Sequence, residues 1–169
     1  MPCWAASSTL SECSADAMDD LEDLYREIIL DHYRSPRNRG ELPTPPAHRT
    51  EGFNPLCGDE IVLTIVVGDD VIEDVKVDGH GCSISQSSAS LMTGAVKGKS
   101  VVDARSAMRS FKRMMTVADD DDPDAEEPID VRKLGELAAL QGVVKFPVRI
   151  KCATLAWNTL AQALAEIDA

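Results

Sequence analysis

Three cysteines that lie far apart in the sequence constrain the fold of this chain more than any other feature. Cys57 lies in the motif Asn-Pro-Leu-Cys-Gly-Asp, Cys82 follows Gly-His-Gly, and Cys152 follows Arg-Ile-Lys. With Asp59 they offer three thiolates and one carboxylate, which is a complete tetrahedral ligand set for zinc. Only a folded domain could gather these four side chains at one point.

The setting of each cysteine favours chemistry over simple packing. Each is flanked by glycine, proline or charged residues, at a predicted junction between a loop and a helix or strand. A cysteine that only fills a hydrophobic core would be expected within an apolar stripe. The pattern therefore favours a metal site or a reactive thiol, and it leaves open whether such a site stabilises the fold or handles sulfur.

Length, charge and cysteine usage limit the class of protein. The 169 residues suffice for one domain with a substantial core, and no apolar run approaches the ~20 residues of a membrane span. A formal net charge of -12 predicts a surface that repels nucleic acids. The odd number of cysteines and the lack of a secretory pattern in residues 1–18 predict a cytoplasmic protein.

The N-terminal residues differ in character from the rest. Residues 1–17 are rich in serine and small residues without periodicity, so we expect a flexible extension in which Cys3 and Cys13 are incidental thiols. A helix with one apolar face is predicted to begin at Asp19 and to end at Ser35-Pro36. Residues 18–169 are therefore expected to form the domain.

Two features near the end of this helix have both structural and functional interpretations. His32 continues the apolar face and is expected to pack in the core or against a partner, not to bind a metal. Arg34, Arg37 and Arg39 form a local basic patch on an otherwise acidic chain. This patch is either a solvated turn or a docking site for a partner or an anionic group.

The middle of the chain predicts a small sheet. Residues 40–56 are proline-rich and are expected to be irregular or to form an edge strand. Residues 60–67 and 71–78 are rich in isoleucine and valine around a Gly-Asp-Asp turn, which predicts a hairpin. Alternation in its second strand predicts one face with Val71, Val75 and Val77, opposite Ile72. Helices on one sheet face would make an α+β domain.

Four more helices are predicted after the hairpin. They cover residues 83–96, open at Ser100, run from Asp130 to Gly142, and begin at Cys152. Cys82 and Cys152 would then both lie at helix N-termini, where the helix dipole favours an ionised thiolate. Between the second and third of these helices lies a run of acidic residues that we expect to be a solvated loop.

The motifs resemble those of the U-type iron–sulfur cluster assembly proteins, the family of IscU scaffolds, NifU N-terminal domains and SufU zinc proteins. The similarity covers residues 19–169 and rests on LYREIILDHY from Leu24, NPLCGD from Asn54, GHGCSIS from Gly79 and RIKCATL from Arg149. The family fold implies a three-stranded antiparallel sheet packed with about five helices. By this resemblance, Cys57, Asp59, Cys82 and Cys152 are ligands of a metal ion.

Three differences from the scaffold members of this family favour its SufU-like zinc branch. Lys151 stands where scaffold members have a histidine before the third cysteine. Residues 145–149 read Lys-Phe-Pro-Val-Arg where scaffolds have a Leu-Pro-Pro-Val-Lys chaperone-binding segment. An acidic insertion near residues 111–128, between the second and third cysteines, is typical of the zinc branch. The resemblance therefore implies Zn²⁺ as the cofactor.

Membership of this branch implies a zinc-dependent sulfurtransferase. Such a protein accepts persulfide sulfur from a SufS-type cysteine desulfurase, whose histidine takes the metal and releases the loop cysteine, and relays the sulfur to iron–sulfur scaffold machinery. Cys57, on the loop flanked by glycine and proline, is the expected sulfur acceptor. Arg149 is expected to balance the negative charge of the ligands or to steer the persulfide.

Two alternatives use the same side chains. As an assembly scaffold, the chain would hold an iron–sulfur cluster on its cysteines. As a structural zinc module, it would use the metal only to stabilise the fold, and Cys57 would show no special reactivity.

Overall fold

Three antiparallel strands form a meander in the computed structural model, which describes residues 10–117, 121–123 and 126–168. They are β1 (His48–Asn54), β2 (Asp59–Gly68) and β3 (Val71–His80), hydrogen-bonded in the order β1-β2-β3. The helices are α1 (Leu10–Arg34), α2 (Ser83–Val96), α3 (Val101–Met114), a 3₁₀ helix (Val131–Lys145) and α4 (Pro147–Asp168). The predicted α+β class, with a three-stranded antiparallel sheet and five helices, is confirmed.

A bulge in β3 changes which side chains face the core. The pairing register shifts between Val66 and Val67 of β2, which leaves Glu73 of β3 as an extra residue. Ile72 is therefore fully buried, whereas Val71 is exposed. The prediction that Val71 shares the face of Val75 and Val77 is wrong, because the bulge interrupts the alternation on which it rested.

Helix α1 begins earlier than the sequence pattern predicted. It starts at Leu10 and not at Asp19, so the expected boundary after residue 17 falls inside the helix. Residues 1–9 lie outside the described part of the chain, and the flexible extension stays a prediction. At the other end, His32 is buried, with its Nδ1 2.8 Å from Ser90 Oγ and its Nε2 3.2 Å from Glu136 Oε2.

The last two helical segments also differ from expectation. Asp130 caps the 3₁₀ helix, as predicted, by accepting a hydrogen bond from the Arg132 N–H at 3.1 Å. The segment then continues past Gly142 to Lys145. Helix α4 begins at Pro147, so the predicted start at Cys152 is wrong. Proline suits the first position of a helix, because its missing N–H would have no partner there.

The helices cover one face of the sheet and share its core. Phe111 of α3 stacks on Trp157 of α4 with 4.5 Å between ring centroids, and Trp157 Nε1 donates to Ser88 Oγ of α2 at 3.2 Å. The insertion predicted near residues 111–128 thus begins within a core helix. None of the helices among the described residues has the length and apolar character needed to cross a membrane.

The acidic segment after α3 is only partly solvated. Residues 118–120 and 124–125 lie outside the described part of the chain. Asp122, however, has a side chain only 2% exposed, with one oxygen 3.8 Å from Arg109 Nε and the other 3.8 Å from Arg113 Nε. The expectation of a solvated loop is therefore wrong at this residue, which pairs with arginines of α3.

Glu166 ties the last turn of α4 to strand β1. Its Oε2 lies 2.5 Å from His48 Nε2 and accepts a hydrogen bond from Thr50 Oγ1 at 2.8 Å, while Gln162 Nε2 donates to Oε1 at 2.8 Å. The bond from Gln162, followed by those from His48 and Thr50, lowers the pKa of Glu166 from 4.5 to about 2.

We expect these contacts to make stability depend on pH. A carboxyl whose pKa is lower in the folded state stabilises the fold above the unfolded pKa of 4.5, and this contribution is lost as pH falls toward about 2. Replacing Glu166 with glutamine should therefore destabilise the protein more at pH 5 than at pH 3. Urea unfolding of both proteins at each pH measures this, and a pH-independent difference would contradict it.

Candidate metal centre

The turn between β1 and β2 carries Cys57 and is held by Asn54. The Asn54 carbonyl accepts a hydrogen bond from the Gly58 N–H at 2.8 Å, and its Oδ1 accepts one from the Leu56 N–H at 3.2 Å. Within this turn Cys57 is exposed, whereas Asp59, the first residue of β2, is 1% exposed. The loop thus presents a thiol to solvent beside a buried carboxylate.

Cys82 caps the N-terminus of α2, as the sequence predicted. Its Sγ accepts a hydrogen bond from the Ser85 N–H at 3.5 Å. Its own N–H donates to Asp59 Oδ1 at 2.9 Å, and its Sγ lies 3.9 Å from Asp59 Oδ2. One oxygen of Asp59 is therefore held by the backbone of Cys82, and the other faces the Cys82 sulfur.

Gly81 makes this approach possible. A Cβ atom at Gly81 would lie 2.6 Å from Asp59 Oδ1 and 3.0 Å from its Cγ, closer than carbon and oxygen atoms can approach without displacement. The glycine before Cys82 in the Gly-His-Gly motif is therefore required by the neighbouring carboxylate.

Cys152 does not lie at a helix N-terminus, which corrects the sequence-based prediction. It is fully buried within α4, after its first turn, and its Sγ lies 3.9 Å from the Val148 carbonyl oxygen. Burial, followed by hydrogen bonds with Cys57 and Asp59, raises the pKa of the Cys152 thiol well above its usual value. Because Cys152 lies beyond the first turn of α4, the stabilisation of its thiolate by a helix N-terminus, which the sequence predicted, does not apply.

The fold brings three of the four predicted ligands into one cluster. The ligand atoms of Cys57, Asp59 and Cys152 all lie within 4.8 Å of one another, and the two sulfurs are 3.3 Å apart. Two thiolates that share a tetrahedral zinc, each at about 2.3 Å, are separated by about 3.8 Å. Cys82 joins the cluster through its contact with Asp59. The donor set is one that Zn²⁺ binds, and the separation of the Cys57 and Cys152 sulfurs is about 0.5 Å shorter than two zinc-bound thiolates require.

Three basic residues close in sequence to the ligands lie in different environments. The negative charge of Cys82, followed by interaction with Cys152, raises the pKa of Arg149. Lys151 is exposed. His80 is also exposed, with its Nδ1 3.9 Å from Glu60 Oε2, and is outside the metal-ligand cluster found among the described residues.

Sequence reasoning missed the contribution of Asn54. Its side chain is buried, with Nδ2 lying 4.0 Å from Cys152 Sγ while Oδ1 holds the Cys57 turn. The available signal was an asparagine directly before Pro-Leu-Cys, since asparagine commonly hydrogen-bonds the backbone two residues later. Its approach to Cys152, 98 residues away, depends on the fold.

Comparison with known proteins identifies the family. A family model described as the NifU-like N terminal domain matches residues 24–153, which is more than half of the chain. The chain belongs to this family. The resemblance inferred from the cysteine motifs is thereby confirmed.

Individual relatives include both sulfurtransferases and scaffolds. The zinc-dependent sulfurtransferase SufU of Bacillus subtilis is 47% identical over 87% of this chain and 93% of its own length. The iron–sulfur cluster assembly scaffold protein IscU of Streptococcus pyogenes is 42% identical, over 88% of this chain and 87% of its own. A crystal structure of a putative scaffold for the SUF system from Fervidobacterium islandicum matches with a TM-score of 0.71 at 34% identity, covering 82% of this chain and 94% of that one.

Proposed function

We propose that this chain is a zinc-dependent sulfurtransferase, which accepts persulfide sulfur from a SufS-type cysteine desulfurase and relays it to iron–sulfur cluster assembly. The observation that carries the proposal is the unequal exposure of the cysteines in one cluster. Cys57 is exposed on a turn, whereas Cys152 is buried 3.3 Å away, measured between the sulfurs. A purely structural site would be expected to bury all of its ligands.

In this proposal Cys57, Asp59, Cys82 and Cys152 hold the zinc ion. When bound, zinc keeps thiolates deprotonated at neutral pH and thereby preserves their nucleophilic sulfur. This effect of zinc matters most at Cys152, because burial raises the pKa of its thiol and so disfavours the thiolate. Arg149, beside Cys82 and Cys152, would offset part of the negative charge that three thiolates and one carboxylate place around a divalent ion.

Cys57 is the proposed sulfur acceptor. Its thiolate attacks the outer sulfur of the partner's persulfide, a new sulfur–sulfur bond forms on Cys57, and the bond to the partner's cysteine breaks. The electron pair of the broken bond goes to the partner's cysteine, which leaves as a thiolate. The exposure of Cys57 allows this attack, whereas the burial of Cys152 prevents a partner's persulfide from reaching it.

The segments that carry Cys57 and Cys152 expose apolar side chains that suit contact with a partner protein. Leu56, next to Cys57, is 66% exposed and Phe53 is 62% exposed, while Phe146, directly before α4, and Val148, in its first turn, are 62% and 63% exposed. Exposed apolar side chains around a reactive group are typical of interaction sites.

We include in this proposal the cytoplasmic location expected from the sequence, because transfer of sulfur between free thiols needs a reducing compartment.

An iron–sulfur scaffold is the second candidate. It is favoured by the 42% identity to the IscU scaffold of Streptococcus pyogenes, and thiolates also bind clusters. The lysine at position 151, in place of the histidine of scaffold members, argues against it. The third candidate, a structural zinc module, is disfavoured by the exposure of Cys57.

The decisive experiment measures desulfurase turnover without iron. We expect substoichiometric, zinc-loaded protein to stimulate a SufS-type desulfurase for many turnovers under reducing conditions, because a carrier is reloaded after each transfer. Sulfide production is followed with and without the protein, and protein stripped of zinc by a chelator is the matched control.

Each contrary result favours a different alternative. Stimulation that requires added iron would favour the scaffold. Absence of stimulation in a protein that unfolds when zinc is removed would favour a structural metal site.

A further inference from the structure

Two of the three arginines of the basic patch near the end of α1, Arg37 and Arg39, are paired with carboxylates. Arg37 Nη2 lies 2.5 Å from Asp31 Oδ2, and Arg39 Nη2 lies 2.9 Å from Asp78 Oδ1. The two arginines nevertheless differ in what else they contact. Arg37 also donates to the nearby Ser35 carbonyl, whereas Arg39 reaches residues much later in the chain.

Arg39 binds both sides of the segment that carries Cys82. Its Nη2 donates to the Gly79 carbonyl at 2.6 Å, three residues before Cys82. Its Nη1 donates to Gln86 Oε1 at 2.8 Å, four residues after Cys82. The N–H of Gln86 in turn donates to the Cys82 carbonyl at 3.1 Å. One guanidinium therefore spans the turn from β3 into α2.

The backbone on either side of Arg39 is itself fixed to β3. The Val77 N–H donates to the Asn38 carbonyl at 3.0 Å, and the Gly40 N–H donates to the Val77 carbonyl at 3.1 Å. These two bonds hold residues 38–40 beside the strand. The backbone at Arg39 is therefore already ordered, and only the arginine side chain loses conformational entropy when it makes its contacts.

The segment that Arg39 holds has an unusual backbone. Gly79 has φ +119°, a conformation that residues with a side chain rarely adopt, and a Cβ there would lie 2.1 Å from the Glu60 carbonyl oxygen. Its N–H donates to Asp78 Oδ1 at 2.8 Å, while its carbonyl accepts from Arg39. The Arg39–Asp78 pair therefore binds both backbone polar groups of the residue at which the chain turns toward Cys82.

We propose that Arg39 is a positioning residue of the metal centre, which holds the Gly79–Cys82 turn so that Cys82 faces Asp59. The proposal rests on the proposed function, because it takes these two residues as zinc ligands. Without Arg39, the turn keeps its glycines but loses the cross-link between its two ends. The Cys82 N–H and sulfur then no longer have a fixed position relative to the Asp59 carboxylate.

The effect should fall on the site more than on the fold. The side chains of Arg39 and Asp78 are 43% and 41% exposed, and ion pairs of such exposure contribute little to overall stability. Substitution of a residue that orients metal ligands commonly lowers the metal affinity by roughly 10- to 100-fold. Arg39 acts through the backbone next to a ligand, so we expect the lower end of this range.

The test compares Arg39→Gln with the matched control Arg37→Gln. Both substitutions remove an arginine paired with a carboxylate, but only the first removes contacts to the Cys82 segment. We expect Arg39→Gln to raise the zinc Kd about tenfold, measured by competition with a chromophoric chelator, and Arg37→Gln to leave it near the wild-type value. Arg39→Lys should recover part of the loss, since an ammonium group cannot reach all three partners with planar geometry.

A second readout does not depend on zinc. The Cys82 N–H is bonded to Asp59 Oδ1, so its hydrogen exchange in the metal-free protein, measured by NMR, should be faster in Arg39→Gln than in Arg37→Gln. Equal exchange in the two variants would overturn the inference, as would equal zinc affinity. Failure of the wild-type protein to bind zinc or to stimulate a desulfurase would instead contradict the proposed function.

Discussion

Replacing Cys57 with serine is expected to reduce desulfurase stimulation to the unstimulated rate of the partner enzyme. Serine preserves the size and position of the side chain but lacks the ionised sulfur that attacks a persulfide. Because Cys57 is exposed on a turn held by Asn54, its replacement should leave the fold of the metal-free protein unchanged. Sulfide production and urea unfolding measure the two effects separately.

The location of the transferred sulfur distinguishes an acceptor from a mere ligand. After reaction of the wild-type protein with a loaded desulfurase, mass spectrometry of non-reduced peptides should find one added sulfur atom on Cys57. Cys13→Ser, a substitution on α1, serves as the matched control and should retain stimulation. Transferred sulfur on Cys82 or Cys152, or stimulation that survives in Cys57→Ser, would refute the assignment.

The sequence predicted those parts of the site that are encoded locally. The sequence predicted a helix over residues 83–96 with Cys82 at its N-terminus, and helix α2 has those bounds with Cys82 at its cap. The glycine and proline around Cys57 likewise indicated a loop, and Cys57 lies in the turn between β1 and β2. Both features depend on backbone geometry over a few residues, which residue type largely determines.

Features that depend on contacts between distant segments could not be predicted. The bulge at Glu73 arises from the pairing of β3 with β2. As a result Ile72 is buried, although simple alternation along the strand had placed it on the opposite face. In the sequence, Arg39 is part of a basic patch that could be a solvated turn. In the fold it contacts Gly79, 40 residues later in the chain. The position of Cys152 was mispredicted for a similar reason, since α4 begins at Pro147 and this cysteine therefore lies inside the helix, where it is buried.

Gly81→Ala is expected to weaken zinc binding by about 100-fold while the protein still folds. The new methyl group would lie 2.6 Å from Asp59 Oδ1. Asp59 begins β2, where it pairs with Asn54, and its side chain is 1% exposed, so the carboxylate has little room to move. We therefore expect relief of the overlap to weaken the hydrogen bond from the Cys82 N–H and to displace two proposed ligands together.

The matched control is Gly94→Ala, in the same helix as Cys82. No described atom outside the helix backbone would lie within 4 Å of the added methyl group, and alanine in a helix interior is favoured over glycine by about 0.5–1 kcal/mol. This variant should be slightly more stable and bind zinc normally. Competition with a chelator gives the zinc Kd, and urea unfolding of the metal-free proteins gives their stabilities. Wild-type zinc affinity in Gly81→Ala would contradict the conclusion that the close approach of Gly81 to Asp59 organises the site.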